Sequence, residues 1–141
     1  MHSILLPVDG SEQSLRAVKH AISSIKEGLA ADIHVINVQP PIVMLSELPV
    51  VDYEQVEQSQ RELGQTELRP ACQLLDSAGL HYTQHLEIGP ISRAIVQCAK
   101  ANSCDSIIMG TRGRGTFGSW LLGSTANAVV HLAEVPVTLV K

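Results

Sequence analysis

Short runs of apolar, often β-branched residues alternate along this chain with longer stretches in which apolar positions recur every three or four residues. Residues 3–8 (SILLPV) read as a strand that stops at Asp9-Gly10. Ser11 then stands where a helix N-cap belongs, and Glu12 in the first turn suits the positive end of the helix dipole. Leu15, Val18, Ala21, Ile22 and Ile25 fall on one helical face, with Gly28 as the stop. A second strand over 32–38 (DIHVINV) is closed by Gln39-Pro40-Pro41, and residues 42–51, apolar without a period and containing Pro49, read as a loop.

From about residue 52 to 78 the composition turns strongly helical, with Pro70 predicting a kink or break because it removes a backbone donor and clashes with the preceding turn. Gly79 ends that stretch, and residues 80–88 alternate loosely, as a third strand does. On it His81 and His85, four apart, share a face and read as a polar sheet surface more readily than as a metal pair. Gly89-Pro90 opens the next helix, with proline at its first position and Ile91, Ala94, Ile95, Cys98 and Ala99 facing inward. A fourth strand over 106–109 (SIIM) leads into a glycine-rich segment, 110–123, then a helix from Ser124 to about Leu132. The last strand covers 135–140, opening with Val135 and closing with Val140. Strands joined through helices of ten or more residues pair in parallel by right-handed crossovers. Continuously apolar strands are buried on both faces. The pattern therefore predicts one α/β domain over residues 1–141, a doubly wound layer structure on a five-stranded parallel sheet.

Composition narrows the function classes. The 141 residues are 45% hydrophobic and 17% charged, too apolar for disorder and long enough to fold without a staple. Ten basic against 14 acidic residues give a net charge of -4, aromatics are 3%, and Arg112 with Arg114 is the one basic cluster. Nucleic-acid binders need a basic face or a stacking platform, so none is expected as a partner. Cys72, Cys98 and Cys104 are odd in number and lack a CxxC spacing, which points to a reducing, cytoplasmic setting and away from a structural metal. No apolar run approaches the roughly 20 residues of a membrane helix. The opening MHSILLPVDG lacks a basic leader, so neither membrane insertion nor secretion is expected.

In open parallel sheets, ligands bind beyond the carboxyl ends of the strands, near the point where strand order reverses. Pro7-Val8-Asp9-Gly10, Val38-Gln39-Pro40 and Met109-Gly110-Thr111-Arg112-Gly113 occupy such positions. The segment GTRGRGTFGSWLLGS, residues 110–124, carries glycines at 110, 113, 115, 118 and 123 and ends in Gly123-Ser124-Thr125 at a helix start. Glycines let backbone N–H groups face a ligand, and a helix N-terminus attracts anions, so a polyphosphate fits beside Arg112 and Arg114. Asp9, across the sheet, is a candidate acceptor for ribose hydroxyls. Each feature also has a plainer reading: a flexible loop, a turn and cap, two solvated arginines, an N-cap serine. Their joint occurrence at neighbouring strand ends favours a nucleotide. Other motifs fail. Gly113-x-Gly115-x-x-Gly118 follows the fourth strand rather than the first, and there is no Walker lysine, GxSxG or HExxH.

These residues resemble the universal stress protein family from end to end. ILLPVDGSEQS looks like its first strand and turn, and Gly110-x2-Gly113-x9-Gly123-Ser124 fits the G-2x-G-9x-G(S/T) pattern of its nucleotide-binding branch. The resemblance implies a three-layer, adenine-nucleotide alpha-hydrolase-like fold with strand order 3-2-1-4-5. It implies ATP as ligand, with AMP or ADP as alternatives and Mg²⁺ on the phosphates. Pro7, Val8 and Asp9 would then meet the ribose side, and Val38 would offer backbone groups to adenine. Met109, Gly110, Arg112 and Gly113 would meet ribose and phosphates, and Gly123, Ser124 and Thr125 the phosphates. It further implies a homodimer through the last strand. An apolar sheet edge ought in any case to be covered. With few catalytic groups in view, the leading expectation is a nucleotide-dependent sensor or regulator of the stress response. The alternatives are a slow Mg²⁺-dependent ATPase or autokinase using Ser124 or Thr125, and a nucleotide-free dimeric interaction module.

Overall fold

The computed structural model describes residues 2–41, 52–112 and 122–141. In chain order the elements are β1 (His2–Pro7), α1 (Glu12–Lys26), β2 (Ala31–Gln39), α2 (Tyr53–Ser77), β3 (Tyr82–Ile88), α3 (Ile91–Ala101), β4 (Ser106–Gly110), α4 (Ser124–Leu132) and β5 (Val137–Val140). All four strand pairings are parallel and the sheet order is β3-β2-β1-β4-β5. This is the expected doubly wound arrangement, and the order reverses between β1 and β4.

The central strand explains why the sheet needs a layer on each side. Ile4, Leu5 and Leu6 are at most 1% exposed. Successive strand side chains point to opposite faces, so Ile4 and Leu6 join Val18, Ala21, Val35, Leu68 and Leu75 under α1 and α2. Leu5 joins Ile36, Ile95, Cys98, Ile107 and Val129 under α3 and α4. Each large side chain so buried contributes roughly 1.5–3 kcal/mol. Among the described residues no helix is long and apolar enough to cross a membrane.

Four details depart from the pattern reading. The chain stays helical through Pro70 rather than breaking there. Glu67 and Leu68 before it and Ala71, Cys72 and Leu75 after it are all buried. Packing thus anchors both halves and offsets the roughly 3 kcal/mol that an interior proline costs. Pro90 is the N-cap of α3 rather than its first residue, and its carbonyl accepts the Ala94 N–H at 2.9 Å. β3 starts at Tyr82, so His81 lies before it. His85 instead meets His34 of β2, its Nε2 lying 2.9 Å from the His34 Nδ1. β5 starts at Val137 rather than Val135, because Pro136 precedes the ladder and contributes only its carbonyl, to Ile107 N–H at 3.0 Å.

Candidate functional site

The carboxyl ends of β2, β1 and β4 open into a cleft of about 270 Å³, near the lower end of the roughly 300–1,000 Å³ usual for small-molecule sites. Pro7, Val8 and Asp9 line it from β1, Val38 from β2, and Met109, Gly110 and Arg112 from β4. Gly123, Ser124 and Thr125 line it from the start of α4. Gly113 lies outside the described residues, as do Arg114, Phe117 and Trp120. Because β1 sits between β2 and β4, Asp9 stands between a wall made by β2 and a wall made by β4 and α4. Ile36, Val38, Ile91, Ile95 and Met109 give the cleft an apolar side.

At the β2 wall the backbone is exposed by topology. Ile36 accepts the Val8 N–H at 2.9 Å, and Gln39 accepts the Gly89 N–H at 2.9 Å from the opposite side. In a parallel ladder alternate residues face alternate neighbours, so Val38 turns its N–H and C=O the same way as Ile36, beyond the end of β1. One donor and one acceptor side by side can read the edge of a heterocycle.

At the centre, the Asp9 Oδ1 accepts the Ser11 N–H at 2.9 Å across Gly10, whose φ of +79° a side chain would strain. Ser11 Oγ in turn accepts the Ser14 N–H at 3.2 Å and caps α1. The turn-and-cap reading of Asp9-Gly10-Ser11 is therefore realised, and it holds the carboxylate on the cleft wall.

The α4 wall differs in detail from the expected cradle. Asn127 N–H to Gly123 C=O, at 2.9 Å, is the first helical bond. The N–H groups of Ser124, Thr125 and Ala126 thus have no acceptor within the helix, and the dipole makes this end electropositive. Gly123 itself is the N-cap, and its N–H is taken by the Thr111 carbonyl at 2.7 Å. Ser124, read as a possible cap, is instead the first helical residue and is exposed. Gly110 has a structural task as well: a Cβ there would fall 3.0 Å from the Gln13 carbonyl carbon and oxygen.

Sequence reasoning missed a buried polar cluster on the same cleft. Glu67 and Gln39 both line it, and Glu67 is only 9% exposed. Its Oε2 accepts from Asn37 Nδ2 at 2.8 Å and from Gln39 Nε2 at 3.0 Å. Asn37 Nδ2 also donates to the Val8 carbonyl at 2.9 Å, and Gln39 Nε2 to Asn37 Oδ1 at 2.8 Å. The signal was present: Glu67 sits on the helical stripe of Gly64, Leu68, Ala71 and Leu75, where a charge is out of place. Among the described residues no group of three His, Cys, Asp or Glu side chains is placed to hold a metal ion.

The model of the universal stress protein family matches residues 1–141. The chain belongs to the universal stress protein family. Universal stress protein MJ0531 of Methanocaldococcus jannaschii is 36% identical over 141 residues, which is 98% of this chain and 81% of that one. Among solved structures, hypothetical protein MJ0577 superposes with a TM-score of 0.76 at 25% identity, over 99% of this chain and 95% of its own. Two further family members are similar in fold. One was solved in complex with cAMP, with a TM-score of 0.70 at 24% identity over 99% of this chain and 97% of its own. The other, from Arabidopsis thaliana, was solved with AMP bound, with a TM-score of 0.70 at 20% identity over 100% of this chain and 92% of its own. The universal stress protein fold of this chain thus carries its cleft at the strand-order reversal.

Proposed function

We propose that the cleft binds an adenine nucleotide and that the chain acts as a homodimeric, nucleotide-dependent regulator of the stress response rather than as a fast enzyme. One observation carries the reading: sheet order sets three unlike surfaces in sequence along a single cleft. An apolar slot edged by the Val38 backbone comes first, the Asp9 carboxylate second, and the electropositive start of α4 with Arg112 third. Those are the requirements of a base, a ribose and a phosphate group in covalent order. Family members of the same fold solved with cAMP and AMP agree with a nucleotide of this class.

In this reading Asp9 accepts from the ribose hydroxyls, and the first-turn amides of α4, with the Ser124 and Thr125 hydroxyls, donate to phosphate oxygens. A Mg²⁺ ion, if used, would ride on the phosphates. β5 is an edge strand whose Val137, Leu139 and Val140 are half-buried, and pairing with a second copy would cover it. Pro136 and Val140 turn their carbonyls to β4, to Ile107 and Thr111, so Leu139 turns its N–H to the open edge. Light scattering on Leu139→Pro tests the pairing, and a wild type that is monomeric, or a variant as dimeric as wild type, would contradict it. The exposed Ser124 hydroxyl on the cleft wall favours slow autophosphorylation as the second reading.

The direct test is thermal shift and titration calorimetry with ATP, ADP, AMP and cAMP, with and without Mg²⁺. Ligand at a hundred times its Kd stabilises the native state by about 2.7 kcal/mol. Asp9→Ala should weaken all four by about 1.5–3 kcal/mol, the value of a hydrogen bond to a charged group. No melting shift with any nucleotide at millimolar concentration refutes the proposal.

A further inference from the structure

We infer that Glu67 sharpens the cleft's choice of base: the carboxylate, clamped by Asn37 and Gln39, takes the second hydrogen of the exocyclic amine of adenine and disfavours a 6-oxo purine. This deepens the nucleotide reading above and rests on it.

The placement comes first. Glu67 belongs to α2, in the layer that covers the Ile4–Leu6 face of the sheet, yet it lines the cleft together with Gln39 and Pro40 at the end of β2. That is the end where the Val38 N–H and C=O pass beyond β1. An adenine edge offers one ring acceptor, N1, beside an amine with two N–H donors. The Val38 pair matches N1 and one amine hydrogen. The second amine hydrogen needs another acceptor, and the carboxylate on this wall is the strongest available kind. A 6-oxo purine carries N1–H and a carbonyl oxygen there, so it mismatches the Val38 pair and also sets a second acceptor against the carboxylate.

The clamp explains how an acid holds that position. Glu67 is about nine-tenths buried, and burial of a carboxylate is costly unless it is hydrogen-bonded. Asn37 and Gln39 supply those bonds to one oxygen, Oε2, and neither amide can swing away freely. Asn37 is also tied to the Val8 carbonyl, next to Asp9, and Gln39 to Asn37. A carboxylate has about four lone-pair sites over its two oxygens and accepts several hydrogen bonds at once. The opposite end of the cleft, at Arg112 and α4, is electropositive. An acid at the β2 wall therefore also disfavours the reversed pose, with phosphate at Glu67.

The test uses the full chain and three ligands differing only at purine position 6: AMP (amine), IMP (oxo) and purine riboside 5′-monophosphate (hydrogen). Titration calorimetry on wild type should show AMP binding roughly ten- to a hundredfold more tightly than IMP, the scale of one charged hydrogen bond gained or lost. Purine riboside monophosphate should fall between them. In Glu67→Gln, with folding confirmed by circular dichroism, the AMP-to-IMP ratio should fall about tenfold, to what the Val38 pair alone supplies, while IMP binds no worse than to wild type. A loss of affinity for all three ligands alike would mark Glu67 as merely structural and overturn the inference. So would equal AMP and IMP affinities in wild type, a result that needs no variant and leaves nucleotide binding standing. If none of the three, nor ATP, binds to wild type, the parent reading fails and this one with it.

Discussion

Gly110 belongs to the glycine pattern that resembles a phosphate cradle, but its missing side chain serves packing against α1. An ideal Cβ at 110 would lie 3.0 Å from the carbonyl carbon and oxygen of Gln13 and 3.1 Å from its Cβ. Ordinary carbon contacts fall at about 3.5–4.0 Å, so the first turn of α1 would have to retreat by roughly half an ångström. It is poorly placed to do so. Two of the three contacted atoms are backbone, and that turn is fixed by the Ser11 cap and the Asp9-to-Ser11 bond. Overpacking of this kind costs about 1–3 kcal/mol, against which replacing glycine gains about 0.5–1 kcal/mol of unfolded-chain entropy. Gly110→Ala should therefore be destabilised by roughly 0.5–2 kcal/mol. A chain of this size loses about 3–4 °C of Tm per kcal/mol. Urea unfolding followed by circular dichroism measures the change, with the m-value unchanged if only native packing has been altered. A variant as stable as wild type, or more so, would refute the reasoning, because α1 would then be shown to yield at no cost.

Two further outcomes follow from side chains outside the cleft. His34 and His85 touch at 2.9 Å with stacked rings, and one nitrogen must donate while the other accepts, so at least one ring must be neutral. Burial first, and then the His34 charge, hold His85 below its ordinary value of about 6.5 despite the opposing pull of Glu87. The folded protein thus binds that proton less readily than the unfolded chain. Its contribution is fully present above the unfolded value and is lost as pH falls towards the folded one. The urea midpoint should drop more steeply between about pH 7.5 and about pH 5.5 in wild type than in His85→Gln, and equal slopes would contradict the assignment. Separately, the Cys98 thiol is pushed up to about 11, by burial first and then by Cys104 and Glu87, with the Asn102 contact opposing. About one thiol in a thousand is then ionised at pH 8. Native protein treated with iodoacetamide at that pH should leave Cys98 unmodified by mass spectrometry until urea is added, and rapid native labelling would show the thiol to be open.

The fold was legible because its local signals agree. The run Ile4-Leu5-Leu6 admits only a strand buried on both faces, and Asp9-Gly10-Ser11 marks both its end and the start of α1. The cleft was legible for the same topological reason: strand ends flanking a reversal of order must adjoin. What failed was local chemistry overruled by packing. Pro70 has the covalent structure of a helix breaker, yet buried neighbours on either side hold the helix together. His81 and His85 share a face in an ideal strand, but the strand begins one residue too late to hold both, and His85 finds a partner 51 positions away. No reading of local spacing finds a contact at that separation.

The acid at the base end was hidden for a different reason. Helix α2 carries so many Glu and Gln residues that one more looks like solvated surface. Its buried stripe nevertheless contains Gly64 and Glu67, adjacent on one face at a spacing of three. A Cβ on Gly64 would stand 2.7 Å from Leu86 Cδ1 and 3.0 Å from Asn37 Oδ1. The absence of that side chain lets the helix lie close over β2 and β3, and only at this approach does the Glu67 carboxylate reach both Asn37 and Gln39. A glycine in mid-helix costs about 1 kcal/mol relative to alanine, and a buried acid is costly too. Each is unfavourable by itself. Together they form one arrangement that delivers a fixed negative charge to the β2 end of the cleft, opposite the electropositive start of α4.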